Sequence, residues 1–198
     1  ERVFLYAVLG FPPPVLGMLL GWWSAYLIAP NQAEVIAGTI GLGIGILFNI
    51  IFLKKLVNRA YRLNLWIWLG LFIFYGIGLF GFFMGVPVFL LGLAPLTGFF
   101  SAAKFASRGV DENAWQPELR RTQLTTTGVV LLGCIASAVI ALRDPYTAAN
   151  LTGMLRLDFT VTQGMIVALI LTGGAGLLAL FWWLTGWTAY LTHRWYKA

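Results

Sequence analysis

The sequence predicts an all-α integral membrane protein with about six transmembrane helices. Of its 198 residues, 60% are hydrophobic and only 10% are charged, and the mean hydropathy is +0.84. A soluble domain carries roughly 25% charged residues, so this chain has too few charges to cover a surface that faces water. The composition therefore argues against a soluble enzyme, a disordered tail and a nucleic-acid-binding domain. Its single cysteine, Cys134, argues against a disulfide framework.

Six apolar segments are long enough to cross the ~30 Å hydrocarbon layer, which takes ~20 helical residues. The stretch 63–103 contains no Asp, Glu, Lys or Arg, and as one helix it would be about twice the bilayer thickness. We expect it to fold back as a tight hairpin at Gly85-Val86-Pro87, because Gly permits unusual dihedrals and Pro favours a helix start. The predicted spans are Phe4–Ala29, Val35–Leu53, Leu65–Met84, Val86–Ala103, Thr122–Leu142 and Phe159–Tyr190.

Three consecutive prolines, Pro12 to Pro14, interrupt the first span. Proline lacks the N–H donor and disfavours the helical conformation of the residue before it, so the helix is expected to break or kink there. Two alternatives stay open. Either the span begins at Pro14 with Phe4–Phe11 at the membrane interface, or the helix is discontinuous.

The basic residues predict the orientation of the spans. Six spans place both termini on one side, and 11 of the 13 Lys and Arg residues then lie on that side, with Arg143 and Arg156 on the other. Cytoplasmic loops carry this excess, so both termini are expected in the cytoplasm of a multi-pass cell (inner or plasma) membrane protein. The whole chain, 1–198, is expected to form one transmembrane domain. The net charge of +6 is then explained by topology and by anionic lipid head groups, without a nucleic-acid partner.

None of the predicted spans contains Asp, Glu, Lys, Arg or His. Such residues mark proton relays and ion pathways in membranes, and acid–base catalysis depends on them. The sequence thus predicts no catalytic residue, no cofactor and no metal site.

Small residues recur at the GxxxG spacing, which lets helix backbones approach closely in lipid. The glycines with this spacing are Gly17 and Gly21, Gly41 and Gly45, and Gly81 and Gly85; a similar patch holds Gly173, Gly174 and Gly176. They are expected either to pack helices within the chain or to dock onto other membrane subunits.

Two sets of polar residues are further candidates. Tyr26, Glu34, Asn49 and Gln163 could contact a solute or line an external vestibule, or they could serve as helix-terminal charges and interhelical hydrogen bonds. The segment Arg108–Arg121, expected on the cytoplasmic side, could dock a partner through Arg108, Trp115, Arg120 and Arg121. Alternatively that segment is simply solvated, with Trp115 at the lipid head groups.

Two functional hypotheses follow from these features. The first is a non-catalytic subunit that packs into a larger membrane complex, with membrane lipids and other membrane subunits as its partners. The second is a small channel, or the substrate-binding component of a transporter, for a neutral or weakly charged solute. In span number and size the chain resembles the substrate-binding components of energy-coupling-factor vitamin transporters, although its first span lacks an Ala-x-x-x-Ala motif. The first hypothesis is favoured because transport would need a coupling site that the sequence does not supply.

Overall fold

The structure, a computed structural model, describes residues 2–28, 33–108, 114–154 and 156–197. Of the described residues 90% are helical, and none of them lies in a strand. The helices are α1 Arg2–Gly10, α2 Pro12–Ile28, α3 Ala33–Asn58, α4 Leu65–Phe82, α5 Leu93–Arg108, α6 Trp115–Arg143, α7 Thr147–Met154 and α8 Gln163–Lys197, with 3₁₀ turns at Ala60–Arg62 and Pro87–Gly92. The all-α prediction is confirmed.

Five helical segments among the described residues are long and apolar enough to cross a membrane. They are Arg2–Ile28, Ala33–Asn58, Pro87–Ser107, Trp115–Arg143 and Gln163–Tyr196. They correspond to five of the six predicted spans. The third predicted span corresponds to α4, whose apolar part, Trp66–Phe82, is shorter. The protein therefore has the composition and helix lengths of a helical membrane protein.

Helix contacts divide the chain into two compact units, Glu1–Leu71 and Phe72–Ala198. In the first unit α2 and α3 are antiparallel partners, because Gly21 lies against Ala37 and Gly17 lies against Gly41. Helix α1 also packs on α3. After the 3₁₀ turn, the indole N–H of Trp68 donates a hydrogen bond to the carbonyl oxygen of Ala60 at 3.1 Å, which fixes the start of α4.

The interruption of the first span falls at Phe11, one residue before the prolines. Pro12, Pro13 and Pro14 occupy the first three positions of α2. The first N–H groups of a helix have no acceptor within it, so prolines there remove no helical hydrogen bond. The N–H of Phe11 still donates to the carbonyl oxygen of Ala7 at 3.2 Å. The expected break near the prolines is therefore observed, between α1 and α2.

In the second unit α5 is the central helix. In the candidate span Pro87–Ser107, which contains most of α5, half of the residues in the most apolar stretch are buried. The corresponding fraction is 11–17% in the other four candidate spans. Helix α5 runs parallel to α8, since Gly98 lies beside Thr185 and Phe105 lies beside His193. The core beside this pair contains Leu90, Leu93, Ala94, Val130 and Phe181.

Helix α6 runs antiparallel to α8. The side-chain amide of Gln123 donates to the carbonyl oxygen of Trp182 at 3.0 Å, while Trp115, eight residues earlier, lies on His193. The N-terminal residues of α6 therefore lie beside the C-terminal residues of α8. These two contacts define the register of the antiparallel pair.

The turn after α4 lies where the sequence predicts it. Helix α4 ends at Phe82, Gly85 has a φ of +79°, and a 3₁₀ turn starts at Pro87. This φ is in the left-handed region, where a residue without Cβ is not strained. The hydroxyl of Ser137 in α6 donates a hydrogen bond to the carbonyl oxygen of Gly85, and the rings of Phe83 and Phe89 stack across the turn at 3.7 Å.

Helices α5 and α8 extend beyond the predicted spans. The sixth span was expected at Phe159–Tyr190, whereas α8 runs from Gln163 to Lys197. Lys104 was expected in a loop, but it lies in α5 and is buried. Both extensions are explained by packing between the helix ends, which hydropathy alone does not register.

Candidate functional site

Four of the predicted packing glycines lie between α2 and α3. A Cβ atom at Gly17 or Gly41 would overlap the backbone carbonyl of the other residue, and one at Gly45 would lie 2.5 Å from the Cα atom of Pro14. A Cβ atom at Gly21 would overlap the carbonyl of Ala37. The two helix backbones are thus in direct contact along this face, as small residues permit. These glycines serve a contact within the chain.

The other predicted glycine pair has a different environment. A Cβ atom at Gly81 would meet no described atom within 4 Å, while Gly85 is required for the turn by its positive φ. The spacing Gly81-x-x-x-Gly85 therefore does not mark one helix face, because α4 ends at Phe82 between the two residues.

A second close helix contact lies between α5 and α8, and sequence analysis missed it. A Cβ atom at Gly98 would overlap the carbonyl oxygen of Thr185 and would lie 2.9 Å from the backbone nitrogen of Ala189. On α5, Gly98 is flanked one turn away on each side by Ala94 and Ala102, both fully buried. The signal was present as small residues at positions i, i+4 and i+8, but a search limited to glycine pairs does not find it.

Asn49 holds the end of α1 against α3. Its side-chain amide donates to the carbonyl oxygen of Gly10 at 2.6 Å. That carbonyl belongs to the last residue of α1, where helix carbonyls have no partner within the helix. The amide oxygen Oδ1 of Asn49 is buried and has no hydrogen-bond partner among the described residues.

Of the other proposed vestibule residues, Tyr26 and Glu34 lie toward the same end of the antiparallel α2–α3 pair, beyond the contact of Gly21 with Ala37. Glu34 is in the first turn of α3, and the 15 residues that separate it from Asn49 correspond to about 22 Å along the helix. Tyr26 is half exposed and packs edge-to-face on Trp23. Gln163 is the exposed first residue of α8. The structure therefore does not bring Glu34 and Asn49 together in one site.

Trp115, which the solvated-segment alternative expected at the lipid head groups, is buried against other side chains of the chain. Only 5% of its surface is exposed. Its ring stacks on His193 with centroids 4.6 Å apart and planes 10° apart, and Phe105 lies 5.0 Å away. Leu119 is buried beside it. The ring therefore joins α5, α6 and α8 and is not on a surface that a docking partner would contact.

The arginines of the predicted docking segment have different positions. Arg120 and Arg121 are exposed on α6. Arg108 is the last residue of α5, and its side chain is outside the described residues. Docking through these arginines stays a prediction.

Several polar side chains are buried within the second unit: Ser101, Lys104, Gln123, Thr126, Thr185 and Thr192. The hydroxyl groups of Ser101, Thr126 and Thr185 donate to carbonyl oxygens four residues earlier in their own helices, at 2.8 Å in each case. These hydroxyls are engaged with the backbone. Among the described residues there is also no group of three His, Cys, Asp or Glu side chains that could hold a metal ion.

The outward face of α8 has two distinct halves. Thr172, Gly176 and Ala179 are exposed near the middle of the helix, and a Cβ atom at Gly176 would meet no described atom within 4 Å. The same is true at Gly173 and Gly174. Thr172, Gly176 and Ala179 lie along one side of the helix, and we call these three residues the small-residue face.

Toward the C-terminus, large aromatic side chains replace the small ones. Trp183, Trp187 and Tyr190 are exposed, and the two indole rings stack with centroids 5.9 Å apart and planes 9° apart. They line a groove of about 360 Å³ together with Gln123, Trp182 and Gly186. We call this the aromatic groove.

Comparison of the chain with protein-family models, with curated proteins and with solved structures finds no match. The possible roles of these sites therefore follow from the side chains that form them.

Proposed function

We propose that the protein is a non-catalytic integral membrane subunit that packs into a larger membrane protein complex. The observation that carries this proposal is the small-residue face of α8. Its Gly176 lies open on the helix, whereas the glycines between α2 and α3 are already covered by a neighbouring backbone.

Helix association in lipid is favoured where small residues lie on the helix surface. Lipid tails are as apolar as leucine, so helices associate through close van der Waals contact and interhelical hydrogen bonds, and small residues permit both. Thr172, Gly176 and Ala179 provide such a surface in the middle of α8. A helix from another subunit that packs here would gain the close contact that α2 and α3 make with each other.

We further propose the six-span topology, with α4 as the third span and both termini in the cytoplasm. The 11 cationic residues on the proposed cytoplasmic side support it. The helix directions in the second unit are those of three successive spans, since α5 and α8 run parallel to each other and α6 runs antiparallel to both.

Single cysteines test this topology in a Cys134→Ser background. An impermeant thiol reagent applied to intact cells should label a cysteine at Asn150 and should leave one at Asn58 unlabelled until the membrane is opened. Labelling of Asn58 from outside would overturn the proposed orientation.

The proposed function is tested by comparing Gly176→Leu with Gly41→Leu. Gly176→Leu should leave the isolated chain as stable as the wild type, because its side chain meets open space, but it should release the chain from its complex on blue-native gels. Gly41→Leu should destabilise the isolated chain itself, because α2 and α3 are forced apart. A Gly176→Leu variant that remains in the complex would exclude the small-residue face as the interface.

A second candidate, a substrate-binding component for a neutral solute, is favoured by one observation. The buried Oδ1 of Asn49 is an acceptor with no hydrogen-bond partner among the described residues, and an unmade hydrogen bond of this kind costs about 1–3 kcal/mol. A solute with an N–H or O–H donor would satisfy it. Asn49→Leu should then abolish solute retention, whereas the subunit proposal expects no retained solute at all.

A further inference from the structure

A residue count places the aromatic groove near the level at which the hydrocarbon layer of a bilayer would end. About 20 helical residues cross that layer, and counting from Gln163 at the start of α8 reaches Trp182. On α6 the uncharged stretch 122–142 begins directly after Arg121. Both helices therefore put the boundary at the same place, since Gln123 of α6 bonds to Trp182 of α8. Trp and Tyr side chains are favoured at this depth, where an apolar ring body meets polar head groups.

Cationic side chains stand on the head-group side of the groove. Arg120 and Arg121 are exposed on α6 immediately before Gln123, and Arg194 is exposed on α8 one turn after Tyr190. Because α6 and α8 are antiparallel, these residues come to the same end of the groove. The acid closest to them in sequence is Glu118, so the local charge is positive. Arginine is well suited to phosphate groups, because its guanidinium can donate two parallel hydrogen bonds.

We propose that the aromatic groove binds a phospholipid with an anionic head group. Its upper acyl chain and glycerol region would lie between Trp183, Trp187 and Tyr190, and its phosphate would face Arg120 and Arg194. This proposal does not depend on the proposed function, because a lipid can bind here whether or not the chain has partner subunits.

The dimensions and chemistry of the groove favour a lipid over a protein helix. The groove spans residues 182–190 of α8, which is about 12 Å along the helix. A transmembrane helix packs closely where small side chains let two backbones approach, and the indole rings of Trp183 and Trp187 hold a neighbouring backbone away from this part of α8. The combination of apolar walls, an amide at Gln123 and arginines at one end instead matches the sequence of chemical groups along one phospholipid.

The test uses the full chain purified in detergent and incubated with an equal mixture of phosphatidylglycerol and phosphatidylcholine of the same acyl chains. Native mass spectrometry then counts the lipids of each kind that stay bound. The wild type should retain one phosphatidylglycerol in preference to phosphatidylcholine. Arg120→Gln should weaken that preference about tenfold, since a charge-assisted hydrogen bond is lost. Arg143→Gln, an exposed arginine at the opposite end of the same helix, is the matched control and should retain the preference.

A second pair of variants tests the walls of the groove. Trp187→Ala should reduce retention of both lipids, whereas Trp66→Ala, an exposed tryptophan on α4, should not. The proposal is overturned if the wild type shows no preference for phosphatidylglycerol or if Arg143→Gln weakens binding as much as Arg120→Gln. It is also overturned if a second copy of the chain occupies the groove and excludes lipid. The arginine variants change exposed side chains only, so they remain informative even if Trp187→Ala does not fold.

Discussion

Replacement of Gly41 by alanine should destabilise the α2–α3 pair by an amount that follows from the geometry. A methyl group at Gly41 would lie 2.7 Å from the carbonyl carbon of Gly17, whereas ordinary van der Waals contact begins at 3.4 Å. The carbonyl oxygen of Gly17 would lie closer still, so the helices must separate by more than the difference of about 0.7 Å at the carbonyl carbon. A gap of roughly 0.5–1 Å already forfeits a quarter to a half of the dispersion energy of the facing atoms. Overpacking of this kind costs about 1–3 kcal/mol. Because alanine favours a helix over glycine by up to about 1 kcal/mol, we expect a net loss of about 1–2 kcal/mol.

Thermal unfolding of the purified chain in detergent, followed by circular dichroism, measures this loss. For a chain of this length about 1 kcal/mol corresponds to roughly 2–4 °C, so Tm should fall by about 2–8 °C. The control is Gly43→Ala, two residues along the same helix, where a Cβ atom meets no described atom within 4 Å. Its Tm should be unchanged or slightly higher. Equal Tm values for the two variants would refute the inference that backbone contact at Gly41 holds the pair together.

Three further predictions concern the second unit. Gly98→Ala should lower Tm by a similar amount. Gly128→Ala should not, because a Cβ atom at Gly128 meets no described atom within 4 Å. Equal effects of the two variants would contradict the close contact of α5 and α8. Trp115→Ala should lower the free energy of unfolding in denaturant by about 3–5 kcal/mol, because the Trp115 ring is only 5% exposed. Trp195→Ala is the control: Trp195 is 78% exposed, and its loss should be less than about 0.5 kcal/mol. A small loss at Trp115 would argue against its burial. Ser137→Ala removes the hydroxyl that donates a hydrogen bond to the turn after α4, so amide hydrogen exchange in that turn should become faster. Unchanged exchange would show that the turn does not depend on the Ser137 hydrogen bond.

Hydropathy predicted the helical class and most helix positions because each span must bury about 20 consecutive apolar residues in lipid. The turn at Gly85 was also predictable, because it needs a residue that adopts a positive φ, and glycine does so without strain. The interruption near Pro12 was predictable for the same reason. Its position at Phe11 follows from where prolines remove no hydrogen bond, a rule that could have been applied in advance.

Long-range contacts could not be predicted in the same way. The two alternatives for Trp115 were a docking contact and a position at the lipid head groups, and neither foresaw that its ring stacks on His193, which is far away along the chain. Gly41 and Gly176 have similar sequence surroundings, but only the structure distinguishes the covered glycine from the open one. The aromatic groove likewise depends on Gln123 reaching α8, which periodicity within one helix does not reveal.

The composition of the native assembly tests the central proposal most directly. The protein would be extracted from its own membrane under mild conditions, purified through an affinity tag, and weighed by native mass spectrometry. The proposal predicts a complex well above the 21.9 kDa of the chain, with other membrane proteins in fixed stoichiometry, and the loss of those proteins in Gly176→Leu. A chain recovered as a stable monomer from the wild type, with no other subunit present under any mild extraction, would contradict it.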